Sequence, residues 1–183
     1  MASVAIIAMD TRLPELPLWA RDSCHTIPSG KARPTDLLSL THFLNLQYAR
    51  SQQYDLLFYR NTREQGCTHS RWGERHPSYC KLAGLADALH RGYEWVVYVD
   101  SDAFLANTTL PLRELLAQYG AEKGRSQQAF FGWDWPYTLG PNMGFIALRN
   151  TPQVHQMLRT WWNLFAGPYD LQHPMEQHTM QWQ

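Results

Sequence analysis

The chain has 183 residues, 44% hydrophobic and 17% charged, a composition that suits one folded domain with a real core and excludes a disordered segment. Sixteen Lys and Arg balance sixteen Asp and Glu, so no net charge draws the chain to nucleic acid or to an anionic membrane. Three cysteines, Cys24, Cys67 and Cys80, match neither a CxxC redox pair nor a zinc ribbon; one disulfide with a free thiol and three reduced thiols both fit.

Val4 to Met9 is a continuous apolar run, as expected of a central parallel strand. Met1 to Ala8, with Asp10 and Arg12 close behind, is too short for a signal segment or a membrane span and has no cationic n-region, so a targeting segment is expected only outside this chain. Asp10 to Pro34 holds four prolines and reads as an irregular loop, of the kind that faces ligand after a first strand. Thr35 or Asp36 can cap a helix that carries Leu37, Leu38, Leu40, Phe43, Leu44 and Leu46 at helical spacing. Tyr54 to Tyr59 predicts a second strand. A loop with Gly66, Gly73 and Pro77 leads to a helix over Ser78 to Arg91, ended by Gly92.

Tyr93 to Val99 is the strongest strand signal and runs directly into Asp100-Ser101-Asp102. A short helix follows over Leu112 to Tyr119, and Ala121 to Gln128 reads as a loop. Ala129–Trp133 and Gly144–Leu148 predict two more strands. Thr151 and Pro152 supply a cap and a first turn for a helix through Phe165, and Glu176 to Gln183 begins a last helix. Strand and helix alternate, which predicts an α/β fold with a mostly parallel sheet, in a single domain over residues 1–183.

Asp100 and Asp102 stand two apart at the carboxyl end of the best strand, where open α/β sheets bind ligands. In extended chain both side chains face one way, and two hard oxygen donors suit Mn²⁺ or Mg²⁺ held together with a diphosphate. A bare D-x-D is common, and on the tripeptide alone a strand cap followed by a solvated turn is the better account. An EF-hand loop would need an oxygen ligand where Phe104 stands, and an aspartic protease would need Gly in place of Asp102. A metal-dependent nucleotidyltransferase would want a Gly-rich phosphate loop near the first strand, and there is none.

The stretch Tyr79-Cys80-Lys81-Leu82 through Glu94-Trp95-Val96-Val97-Tyr98-Val99-Asp100-Ser101-Asp102-Ala103-Phe104 resembles the galactosyl-, xylosyl- and mannosyltransferases of the GT34 family. The likeness continues at Gly140-Pro141-Asn142-Met143-Gly144-Phe145, Leu148-Arg149-Asn150, Trp161-Trp162 and Glu176-Gln177, over about the last two thirds of the chain. The resemblance implies a GT-A, Rossmann-like fold and a Mn²⁺-dependent retaining transfer of sugar from a nucleotide donor to a glycan or glycoprotein. A UDP-sugar is favoured over GDP-mannose. An inactive GT-A-like domain that binds glycan or nucleotide is the alternative.

The same resemblance implies roles for particular residues. Asp102 and Asp100 would hold the metal, with Asp100 also beside the ribose. Asp10, Thr11, Lys81, Ser101, Asn142 and Gly144 would contact the donor, and Trp133, Asp134 and Trp135 would line an acceptor groove. Gln177, with Glu176, would stabilise positive charge at the anomeric carbon. Family members carry a further metal-binding His beyond the point at which this chain ends, so a C-terminally truncated catalytic domain is expected. Residence in the Golgi lumen, through a membrane anchor not present in this chain, is implied on the same basis. Asn107-Thr108-Thr109 is an N-x-T sequon, and its closeness to the metal motif argues against occupancy.

Overall fold

The computed structural model describes residues 3–14, 36–61, 67–119, 127–133 and 141–164. Five strands form the main sheet: β1 (Val4–Asp10), β2 (Asp55–Arg60), β5 (Trp95–Val99), β6 (Ala129–Trp133) and β7 (Pro141–Arg149). Their spatial order is β2-β1-β5-β7-β6. β1 pairs in parallel with both β2 and β5, and β7 is antiparallel to β5 and to β6. Four of the five strands therefore share one direction, and β7 alone is reversed. Two short strands, β3 (Thr68–His69) and β4 (Gly73–Glu74), form a separate antiparallel pair. That hairpin lies where the sequence predicts only loop, because two-residue strands leave no periodicity to read.

The helices are α1 (Leu37–Gln52), α2 (Cys80–His90), α3 (Leu112–Gln118) and α4 (Pro152–Asn163), with a 3₁₀ turn at Pro77–Tyr79 before α2. Asp36 caps α1 by accepting from the Ser39 amide at 2.8 Å. Thr151 caps α4 in the same way, with Pro152 in its first turn. Gly92 follows α2 at φ 91°, a left-handed conformation that a side chain would strain.

Alternation along the strands divides the core into two layers. Ile7, Val96 and Tyr98 face α2 and α4, where they meet Leu82, Leu85, Leu89, Leu158 and Trp161. Val4, Ile6, Trp95, Val97 and Val99 face the other way, against Tyr48 and Ala49 of α1 and Leu112 and Leu116 of α3. β5 is buried along its whole length, which explains its unbroken apolar sequence. Its register with β7 is regular, Val99 lying opposite Phe145 and Trp95 opposite Arg149. β7 starts at Pro141, three residues ahead of the apolar run that predicts it, because Gly132 and Trp133 pair with Asn142 and Pro141.

Candidate functional site

The topology itself selects a place for a ligand. From β1 the chain passes through α1 to β2 on one side, and from β2 through α2 to β5 on the other side of β1. Connections that diverge from neighbouring parallel strands leave a crevice outside their carboxyl ends. Asp10 ends β1 and Asp100 follows β5, so the two carboxylates stand on either side of that crevice. A cleft of about 280 Å³ lies there, lined by Asp10, Thr11, Asn61, Ser78, Lys81 and Asp100 among others. A larger groove of about 690 Å³ runs between α2 and α4, lined by apolar residues with His90, His155 and Arg159. It brings no carboxylates together, so the smaller cleft is the better site for chemistry.

Ser101 links the two sides by donating its hydroxyl to Oδ2 of Asp10 at 2.8 Å. Arg12 folds back on the same carboxylate: its backbone N–H reaches Oδ1 at 2.9 Å, and its guanidinium reaches Oδ1 and Oδ2 at 3.0 Å each. Partial burial raises the Asp10 carboxyl, but the bonds from Arg12 and Ser101 outweigh it and hold the group well below the usual carboxylate range. Asp10 is therefore a fixed anion.

Asp100 is held through one oxygen. The Tyr98 hydroxyl donates to Oδ1 at 2.8 Å, and the Lys81 ammonium lies 3.6 Å from the same atom. Lys81 is a buried lysine; it also donates to the Met143 carbonyl at 3.1 Å and sits 4.9 Å from the centre of the Tyr98 ring. Oδ2 of Asp100 points toward β7, where the chain has Gly144. A Cβ there would lie 2.8 Å from that oxygen and 2.9 Å from Oδ1 of Asn142, closer than real side chains come. Gly144 thus lets the β7 backbone approach the carboxylate, and Asn142 turns its side chain to accept from the Gly144 N–H at 2.7 Å.

Asp102 corrects one expectation. The strand ends at Val99, and the Ala103 N–H donates to the Asp100 carbonyl at 3.0 Å, so residues 100–103 form a turn and not extended chain. The alternation that would aim Asp100 and Asp102 the same way does not apply. Asp102 is exposed and does not line the cleft, and among the described residues its carboxylate has no hydrogen-bond or ion-pair partner. The donor set fits a hard divalent cation: among the described residues Oδ2 of Asp100 and both oxygens of Asp102 are unspent. No cluster of three or more His, Cys, Asp or Glu forms among the described residues, so further ligands would come from outside that set.

The cleft brings together Asp10, Thr11, Lys81, Asp100 and Ser101, with Asn142 and Gly144 on the adjoining strand. Trp133 ends β6, paired with Pro141 and 63% exposed, and does not line the cleft. Asp134, Trp135, Glu176 and Gln177 lie outside the described residues. Sequence reasoning missed Tyr98, Asn61 and Ser78. Tyr98 was findable, since it precedes Asp100 by two residues on one strand face; Asn61 and Ser78 join only through the tertiary fold.

Cys67 and Cys80 form a disulfide, Cα atoms 5.2 Å apart, which settles one of the two alternatives for that pair. It ties the β3–β4 hairpin to the first residue of α2, next to Lys81. Cys24 lies outside the described residues.

No family model matches the chain, and no curated protein matches it. Among solved structures, the chain is similar to a glycosyltransferase involved in the glycosylation of the major capsid of PBCV-1. The TM-score is 0.61 at 15% sequence identity, over 98% of this chain and 74% of the other. At that identity the likeness speaks for the fold, and it agrees with the α/β architecture that the strand and helix pattern predicts.

Proposed function

We propose that the chain is a glycosyltransferase that moves a sugar from a nucleotide-sugar donor to a glycan acceptor and depends on Mn²⁺ or Mg²⁺. The observation that carries this reading is the pair Asp10 and Asp100 across the crevice between β1 and β5, the latter with one carboxylate oxygen unspent beside Gly144. The fold shared with a capsid-glycosylating transferase supports it.

In this reading Asp100, from the cleft, and Asp102, from the exposed turn that follows it, would hold the cation, which would neutralise charge on the departing diphosphate. Asp10, Thr11 and Ser101 receive the ribose or base, since a fixed carboxylate accepts well from sugar hydroxyls. Lys81 holds Asp100 in place and adds positive charge on the phosphate side of the cleft. Asn142 and Gly144 adjoin the transferred sugar, and Trp133 offers an exposed ring to an acceptor. Transfer with retention, a UDP-sugar donor, and the roles of Glu176 and Gln177 follow from the resemblance to GT34 enzymes, as does a Golgi lumenal setting.

The test is a panel of UDP-sugars and GDP-mannose scored for thermal stabilisation and for turnover, with Mn²⁺ and with chelator. Donor turnover that needs the metal and vanishes in Asp102→Ala, at unchanged melting temperature, is expected. Full turnover in Asp102→Ala would overturn the assignment. Nucleotide binding with no turnover under any donor would instead identify an inactive binding domain.

A further inference from the structure

We infer that Asn107 is an acceptor for N-linked glycan, on the edge of the sheet opposite the cleft. Its closeness to the metal motif in sequence does not translate into closeness in space. The segment after Asp102 runs along α1, pinned turn by turn. Thr41 donates to the Ser101 carbonyl, Asn45 bonds the Ala103 carbonyl and the Leu105 amide, Tyr48 donates to the Leu110 carbonyl, and Gln52 donates to the Thr108 carbonyl.

From Thr41 to Gln52 the helix advances about 16 Å, at roughly 1.5 Å per residue. α1 begins beside Ser101 at the carboxyl edge, where Thr41 bonds the Ser101 carbonyl, and delivers the chain to the start of β2, which runs parallel to β1. Its last turn therefore lies at the amino edge of the sheet, while Asp10 and Asp100 lie at the carboxyl edge. Thr108, held by Gln52, places Asn107 at that far edge.

The local geometry presents the amide. Asn107, Thr108 and Thr109 are all exposed. The Thr109 amide and hydroxyl both donate to Oδ1 of Asn107, at 3.1 and 2.9 Å. The carboxamide oxygen is thereby occupied, and among the described residues Nδ2 has no partner. An N-x-T sequon in an exposed turn meets the requirement of the oligosaccharide-transferring enzymes of secretory compartments. The Cys67–Cys80 disulfide belongs to the same oxidising compartments.

The co-reactant is a lipid-diphosphate-linked oligosaccharide. Nδ2 of Asn107 forms a bond to the sugar C1, the C1–O bond to the diphosphate breaks, the lipid diphosphate leaves, and Nδ2 gives up one proton. This inference does not depend on the donor chemistry of the cleft.

The experiment is expression of the chain behind a cleavable secretory leader in eukaryotic cells, followed by peptide N-glycosidase treatment and mass spectrometry. Wild type should lose mass on treatment, with residue 107 converted to Asp. Asn107→Gln and Thr109→Ala should lack the glycan, and Thr109→Ser should keep it. Donor turnover of Asn107→Gln should equal that of wild type, as its distance from the cleft requires. Recovery of the Asn107 peptide wholly unmodified from secreted, disulfide-bonded chain overturns the inference. A glycan at Asn107 that abolishes turnover overturns its placement away from the cleft.

Discussion

The hydroxyl of Tyr98 donates to Oδ1 of Asp100 across 2.8 Å, two residues apart along one strand and its end. The ring is buried in the core and the hydroxyl emerges at the cleft, so the sheet itself orients the carboxylate. Lys81 supports the same oxygen from α2, and the other oxygen is left for a ligand.

Removing that hydroxyl tests the orientation directly. Tyr98→Phe keeps the packed ring and deletes one hydrogen bond to a charged group, an interaction of about 1.5–3 kcal/mol. The Asp100 side chain is 41% exposed, so the low end applies, or roughly tenfold in half-saturating Mn²⁺. Metal titrations of donor turnover measure this, with the melting temperature as control. An unchanged half-saturation at wild-type stability would show that Asp100 needs no such support.

Gly144 is the more severe test, because its substitution places atoms where oxygens already stand. In Gly144→Ala the new Cβ would meet Oδ2 of Asp100 at 2.8 Å and Oδ1 of Asn142 at 2.9 Å. One of the two side chains must turn away, at a strain cost of about 1–3 kcal/mol. Turnover should fall by about tenfold or more, and Mn²⁺-dependent stabilisation by nucleotide should be lost. Gly132→Ala is the comparison, since its Cβ would meet the Asn142 carbonyl at 3.2 Å and touch no carboxylate. Equal losses of metal response in both variants would assign the effect to the β6–β7 ladder and not to Asp100.

Much of this arrangement is legible in the amino-acid sequence, and the limits have physical causes. Val4–Met9 and Tyr93–Val99 announce themselves because strands buried on both faces leave no polar position to blur the pattern. Asp100 was reached from its place at the end of the best strand, while Asp10, Thr11, Lys81 and Ser101 came from the family resemblance, and the fold gathers all five at one sheet edge. Asp102 shows the limit: periodicity reports where a strand runs, not the residue at which it stops, and the turn at Asp100–Ala103 cancels the alternation one residue too early. The sequon shows another, since only four residues separate Asp102 from Asn107 in the chain while the segment pinned along α1 runs to the far edge. Cys67 and Cys80 could not be paired by spacing, because only the β3–β4 hairpin returns Cys67 to the head of α2.

That disulfide gives a third test. It closes a short loop, sequence separation 13, for which chain entropy predicts about 3 kcal/mol of stabilisation. Reduction, or the Cys67→Ser, Cys80→Ser double variant, should lower stability by about that amount in denaturant titrations. Because Cys80 adjoins Lys81, donor affinity should weaken before the sheet unfolds. A reduced chain with wild-type midpoint and wild-type donor affinity would remove the disulfide from any account of the site.

Asp10 and Arg12 give a test in pH. Burial raises the Asp10 carboxyl, but Arg12 and Ser101 lower it further, so its folded value lies below the ordinary 3.8. A depressed carboxylate stabilises the fold fully above the unfolded value, where it is ionised in both states. As pH falls below about 3.8 the unfolded group takes up a proton that the folded group refuses, and the advantage shrinks toward the folded value. In Arg12→Ala the folded carboxyl returns toward its ordinary range, so the variant should be the less stable chain near neutrality. The gap between the two should stay level down to about pH 4 and narrow below it. Arg12 is solvent-exposed, so added salt should also narrow the gap. Melting temperatures of both chains from pH 7 to pH 2.5, at low and high salt, measure this; a gap that widens toward acid would mean that Arg12 does not hold Asp10 ionised.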